Sequence, residues 1–213
     1  MACRTGGYLN VLNERFKCND PKQTILISAI MRYHTPRTEE AMLYIINTHE
    51  HTYCSICKQK SRNGGLLGWI TTLWNIVQQH GAGHNISRAD CESFVYDLYI
   101  RAPVRGFYFE DMAVRWLANH GYNVRLATPD EDCKFSVDVA VLSKWSGGVL
   151  AGVQVKPESY RYVREDVHRI NFAKNQKAGY PVFYLYYTKA NIWLNDREVL
   201  TSLWCLVQYI RVY

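Results

Sequence analysis

Two short β-type runs lie close together in this chain, Val137-Asp138-Val139-Ala140-Val141 and Val153-Gln154-Val155-Lys156-Pro157. In each, valines alternate with other residues, and alternate side chains of a strand share a face. Gln154 and Lys156 therefore point one way while Val153 and Val155 enter the core. Lys144-Trp145-Ser146-Gly147-Gly148, between the runs, is a Gly-rich hairpin signal. The pairing constrains both fold and chemistry. Asp138 joins the Gln154 and Lys156 face only if it lies opposite position 154 or 156. A two-residue loop sets it opposite 155 or 157, so a shared face demands an odd-numbered loop or a bulge.

Around this hairpin the periodicity predicts an α/β arrangement. Phe109, Met112, Ala113, Trp116 and Leu117 recur at helical spacing, and Asn119-His120-Gly121 ends that helix. Glu110 is placed in its first turn. Residues 122–127, 137–142 and 149–156 read as strands, residues 165–177 as a polar helix, and 182–187 as a buried strand. Residues 192–213 read as mixed structure. The first hundred residues read mainly as helix. Thr38-Glu39-Glu40 opens one, Leu66 to His80 forms a second closed by Gly81-Ala82-Gly83, and Ser87 caps a third. Pro103 marks the change of texture. The expected fold is α/β, a mixed central β-sheet flanked by helices, with a helical N-terminal region over residues 1–102 and the α/β core over 103–213.

Composition narrows the class. The 213 residues carry 48% hydrophobic side chains, enough for a packed core. No apolar run approaches the roughly 20 residues of a membrane helix. The N-terminus lacks an apolar signal region, and seven cysteines at irregular spacing do not form a disulfide framework. A cytoplasmic protein without a membrane partner is expected. Net charge is +6, and 16 tyrosines and 6 tryptophans stand among 25 Lys and Arg, a mixture suited to a polyanion groove.

The strand constellation suits phosphodiester hydrolysis. A carboxylate and a neutral amide oxygen fit hard, oxygen-loving Mg²⁺. The metal lowers the pKa of a water and polarises the phosphate. Lys156 either stabilises the oxyanion or helps to deprotonate that water. Gln154 carries no charge, so another acid is needed, and Glu110 is the candidate. Each residue alone also has an ordinary reading: Asp138, Gln154 and Lys156 as solvent-facing strand positions, and Glu110 as a helix-dipole partner.

Phe109-Glu110, Trp116-Leu117, His120-Gly121-Tyr122, Asp138 and Gln154-Val155-Lys156 together resemble the PD-(D/E)XK nuclease superfamily, nearest its Mrr-like core. The resemblance covers about residues 107–187. It implies Asp138 and Gln154 as metal ligands, Lys156 as the catalytic lysine and Glu110 as an auxiliary acid, with Mg²⁺, or Mn²⁺ in its place. Gln154 stands where most members carry an acid, and Pro129-Asp130, with Asp132 nearby, offers a rival motif aspartate. Gln154-Val155-Lys156-Pro157 and the run from Pro181 to Tyr187 look similar to restriction enzymes of the MjaI type. That likeness implies a type II restriction endonuclease on double-stranded DNA, working as a homodimer, with residues 1–102 serving DNA recognition or dimerisation. A repair or junction-resolving nuclease is the alternative on the same core. A non-catalytic, zinc-stapled DNA-binding module is the alternative from another class.

Zinc enters through Cys54-x2-Cys57 with His80-x3-His84, whose ligand types make a structural Zn²⁺ site, and His49, His51 and Cys91 are further candidates. Finally, Arg161, Arg164, Arg169, Lys174 and Lys177 form a basic segment after the Lys156 strand. Either it follows a phosphate backbone or it is a solvated helix face, given Glu158, Glu165 and Asp166.

Overall fold

The structure is a computed structural model that describes residues 2–16, 27–51, 53–58, 65–81, 83–162 and 165–212. The chain forms two compact units, Met1–Phe107 and Tyr108–Tyr213.

The first unit is helical: α1 (Ala2–Phe16), α2 (Ile27–His34), α3 (Glu39–His51), α4 (Gly65–His80) and α5 (Arg88–Tyr96). Its starts follow the capping residues. Thr38 Oγ1 accepts the Ala41 N–H, and Ser87 and Asp90 exchange backbone and side-chain bonds in a capping box. Met42, Ile46, Trp69, Leu73 and Ile100 are buried in its core. Ala82, within the expected stop of α4, lies outside the described residues.

Pro103 does not begin a new segment. Helix runs on from α5 through a π-helical turn, Asp97–Arg101, into α6 (Ala102–Asn119), with Pro103 in the first turn of α6. Proline cannot donate to the carbonyl four residues back. The π turn is set just ahead of it, and the Ala102 N–H bonds to Asp97 O. Glu110 consequently sits mid-helix rather than in a first turn, out of reach of the helix dipole, which acts only near the end. Gly121, at φ +83°, closes α6, with Tyr122 N–H on Leu117 O and Gly121 N–H on Ala118 O.

The second unit holds a mixed four-stranded sheet, ordered β1 (Asn123–Leu126), β2 (Val139–Leu142), β3 (Val149–Pro157) and β4 (Val182–Tyr187). The first three are antiparallel, and β4 is parallel to β3. A parallel return needs a crossover, and α8 (Glu165–Asn175) supplies it. Two helices were not expected. α7 (Pro129–Phe135) intervenes between β1 and β2; it buries no side chain, so no apolar period marks it. α9 (Asp196–Val212) replaces the mixed structure expected after residue 192. Inside the unit, Phe109, Leu117, Val139, Val153, Leu185 and Leu203 form the core.

The hairpin meets its geometric demand by a bulge. Leu142 pairs with Val149, closing a loop of residues 143–148, whose even length alone would set Asp138 opposite Val153. Between Val141↔Ala151 and Leu142↔Val149 the register shifts, leaving Leu150 as the additional residue on β3. Val139 then pairs with Val153, and one further step brings Asp138 level with Gln154.

Candidate functional site

Asp138 stands one residue before β2, behind the left-handed Ser136 that ends α7. Its backbone N–H donates to Val153 O. Its carboxylate extends the ladder: Oδ2 accepts the Val155 N–H at 2.8 Å and the Lys156 Nζ at 3.1 Å. The Asp138 side chain is 7% exposed and that of Lys156 24%. Both hydrogen bonds converge on Oδ2.

Burial pushes the Asp138 carboxyl above its ordinary range, and the Lys156 ammonium and Val155 N–H offset this only in part. Lys156 shows the opposite balance. Burial acts to lower it, but Asp138, then Glu110 and Asp132, outweigh that and hold the ammonium above the usual lysine value. Lys156 is therefore a fixed cation at neutral pH. Glu110 from α6 and Asp132 from α7 both act on it electrostatically, in addition to the Asp138 contact. Asp130 of the rival motif instead pairs with Lys134 on the surface at 2.9 Å.

Gln154 departs from the sequence expectation. β3 is an inner strand and is buried on both faces from Ala151 to Val155, so Gln154 is 2% exposed rather than solvent-facing. Its Oε1 is buried with no hydrogen-bond partner among the described residues. Leaving such an acceptor unsatisfied costs about 1–3 kcal/mol. An amide oxygen beside a carboxylate, with further acids close by, is a donor set that fits a hard divalent cation. The fit rests on that orphaned oxygen.

The parallel register completes the face. Gln154 pairs with Tyr184 and Lys156 with Tyr186. Tyr160 lies 6.0 Å from Tyr184, and the Arg161 guanidinium sits 4.9 Å over the Tyr186 ring. The Tyr184 hydroxyl is pushed up to about 12, first by burial and then by Tyr160, so it stays protonated. Sequence reasoning missed these tyrosines, although their alternation along β4 is the signal that they share a face. Of the basic segment, Arg161 alone joins this wall by a described contact, and Arg164 lies outside the described residues.

The His and Cys residues sort differently from expectation. His80 stacks on Phe16 at 4.4 Å and His84 on Tyr8 at 3.7 Å, while Cys91 is fully buried in the helical core. None of the three joins Cys54 and Cys57. Those thiols instead meet His49 and His34, a residue the local spacing did not reveal. The His51 side chain lies outside the described residues.

The family model of the MjaI restriction endonuclease matches residues 7–195. The chain belongs to the MjaI restriction endonuclease family. No curated protein and no solved structure matches it. Membership in the MjaI family makes this a restriction endonuclease, a nuclease acting on DNA. The matched span takes in most of each unit and Glu110, Asp138, Gln154 and Lys156. Among the described residues, no helix is long and apolar enough to cross a membrane.

Proposed function

We propose that the protein is a cytoplasmic, Mg²⁺-dependent type II restriction endonuclease with a PD-(D/E)XK-type site. Its substrate is double-stranded DNA carrying a specific short sequence. Asp138, Gln154 and Glu110 hold the metal, and Lys156 is the catalytic lysine. The observation that carries this reading is the buried, partnerless Gln154 Oε1 on the strand face where Lys156 meets Asp138.

Bound Mg²⁺ supplies an acidified water and a polarised phosphate oxygen. The chain's own residues do the rest. Asp138 is fixed by the Val155 N–H, so its carboxylate is preorganised. Lys156, held charged beside Asp138, offsets the negative charge that builds on phosphorus. Asp132 joins Glu110 in making good the charge that Gln154 lacks. Arg161 and the tyrosine wall flank the backbone of the bound strand. Two-fold pairing of protomers matches a palindromic duplex, with residues 1–102 serving recognition or dimerisation.

Incubating a sequenced plasmid and its linear form with protein and Mg²⁺ tests this. Discrete fragments sharing one terminal sequence, absent with Lys156→Ala, are expected. Cleavage confined to branched DNA would assign a junction-resolving enzyme instead. DNA binding without cleavage in Mg²⁺ or Mn²⁺ would assign a non-catalytic module.

A further inference from the structure

We infer that His34, His49, Cys54 and Cys57 form a closed, four-ligand structural Zn²⁺ site that ties α2, α3 and the following turn together. Their ligand atoms all lie within 4.8 Å of one another. His49 Nε2 is 3.0 Å from Cys57 Sγ, and Cys54 Sγ is 3.4 Å from His34 Nε2. A tetrahedral zinc with its usual Zn–S and Zn–N lengths separates its ligands by about 3.3–3.8 Å. Movements of up to about an ångström bring all four atoms to these separations.

Three local features prepare these residues for a metal. His49 Nδ1 lies 2.7 Å from Ile45 O, and a carbonyl only accepts, so Nδ1 carries the proton. The lone pair is thereby left on Nε2, the atom that faces the thiols, as in histidine ligands oriented by a backbone carbonyl. The Cys54 sulfur receives the backbone N–H groups of Cys57 and Ile56, which fix its position in the turn. Lys58, at φ +59°, turns the chain so that its N–H closes on Cys54 O at 2.8 Å. The turn thus presents Cys54 and Cys57 together.

Burial and charge agree with the assignment. His49 and Cys57 are 4% and 3% exposed. Two thiolates neutralise one Zn²⁺, and two neutral imidazoles complete the shell, so the filled site is uncharged where an ion would be costly. No ligand position is left for water or substrate, which makes the ion a staple and not a second catalytic metal. His34 ends α2, His49 lies in the last turns of α3, and the cysteines follow in the turn after it.

The inference does not rest on the nuclease reading. Full-length protein purified without chelator should carry one zinc per chain by elemental analysis. Replacement by Co²⁺ should give the intense visible bands of a tetrahedral thiolate site. Cys54→Ser and His34→Ala should each lower the retained zinc at least tenfold, while His84→Ala should retain it. A measurement on the unmodified chain guards against variants that do not fold. Cys54 and Cys57 should resist alkylation until a zinc chelator is added, whereas the exposed Cys133 and Cys205 should react at the same rate throughout. Zinc-free protein whose Cys54 alkylates equally fast with and without chelator would overturn the assignment. So would a Cys54–Cys57 disulfide, an octahedral Co²⁺ spectrum, or zinc lost with His84→Ala alone.

Discussion

Lys156 Nζ and the Val155 N–H converge on a single oxygen of Asp138, at 3.1 and 2.8 Å. One strand thus supplies both the cation that neutralises the carboxylate and the amide that orients it. Replacing Lys156 has two separable effects. Lys156→Ala should cut single-turnover cleavage by about 10²–10³-fold while leaving DNA binding in EDTA intact. It should also destabilise the fold by about 1–3 kcal/mol, because a buried acid loses its partner. Urea unfolding beside a binding titration checks both. Cleavage at wild-type rate by this variant would remove Lys156 from the mechanism.

Gln154 offers the sharper separation of stability from activity. Its Oε1 is buried and unsatisfied, so removing it relieves a cost in the metal-free protein. Gln154→Leu should hold or raise metal-free stability, by up to about 2 kcal/mol, and abolish cleavage in Mg²⁺. Denaturant unfolding in EDTA measures the first and plasmid cleavage the second. A marked loss of stability would mean that the amide serves the fold.

Glu131 contributes to the acid stability of the second unit. Arg125 holds both its carboxylate oxygens, at 2.7 and 2.8 Å, and lowers its pKa from 4.5 to about 2, with the Thr128 cap assisting against burial. Since the folded value lies below the unfolded one, this stabilisation is complete above about pH 5 and disappears as pH falls towards 2. The shift corresponds to about 3 kcal/mol at most, reduced to about 1–2 because Arg125 is 38% exposed. Glu131→Gln should therefore lower thermal stability at pH 6 but bring little change near pH 2. A constant difference across that range would refute the linkage. The same contact anchors α7, which carries Asp132 towards Lys156.

Gly152 leaves room for the residue that precedes Asp138. A Cβ there would stand 2.7 Å from Val137 Cγ2 and 3.2 Å from Val182 Cγ2. Gly152→Ala should cost about 1–3 kcal/mol by overpacking and reduce cleavage by displacing Val137 and its neighbour. Adding Val137→Ala should restore part of both. If the double variant is no better than the single one, strain at Val137 is not the cause.

Much of this protein is legible in its sequence because the information is local. The α6 period from Phe109 to Leu117, the Gly121 stop, the Ser87 cap and the valine alternation in β2 and β3 each act within a few residues. Alternation also assigned Gln154 and Lys156 to one face of their strand. The partner of that face was not legible, since a strand's period leaves its register open. The Leu150 bulge, which the sequence required only as one of two solutions, is what brings Asp138 level with Gln154. Burial of Gln154 follows from β4 pairing in parallel on the far side of β3, a contact made across α8. Asp132 reaches Lys156 because a short, exposed helix without apolar period carries it there. His34 meets Cys54 across twenty residues, and His80 and His84 turn to aromatic rings instead. Local pattern determined which side chains exist on each face; only the tertiary structure decided which faces meet, because register, crossover and helix docking join residues that no short-range period connects.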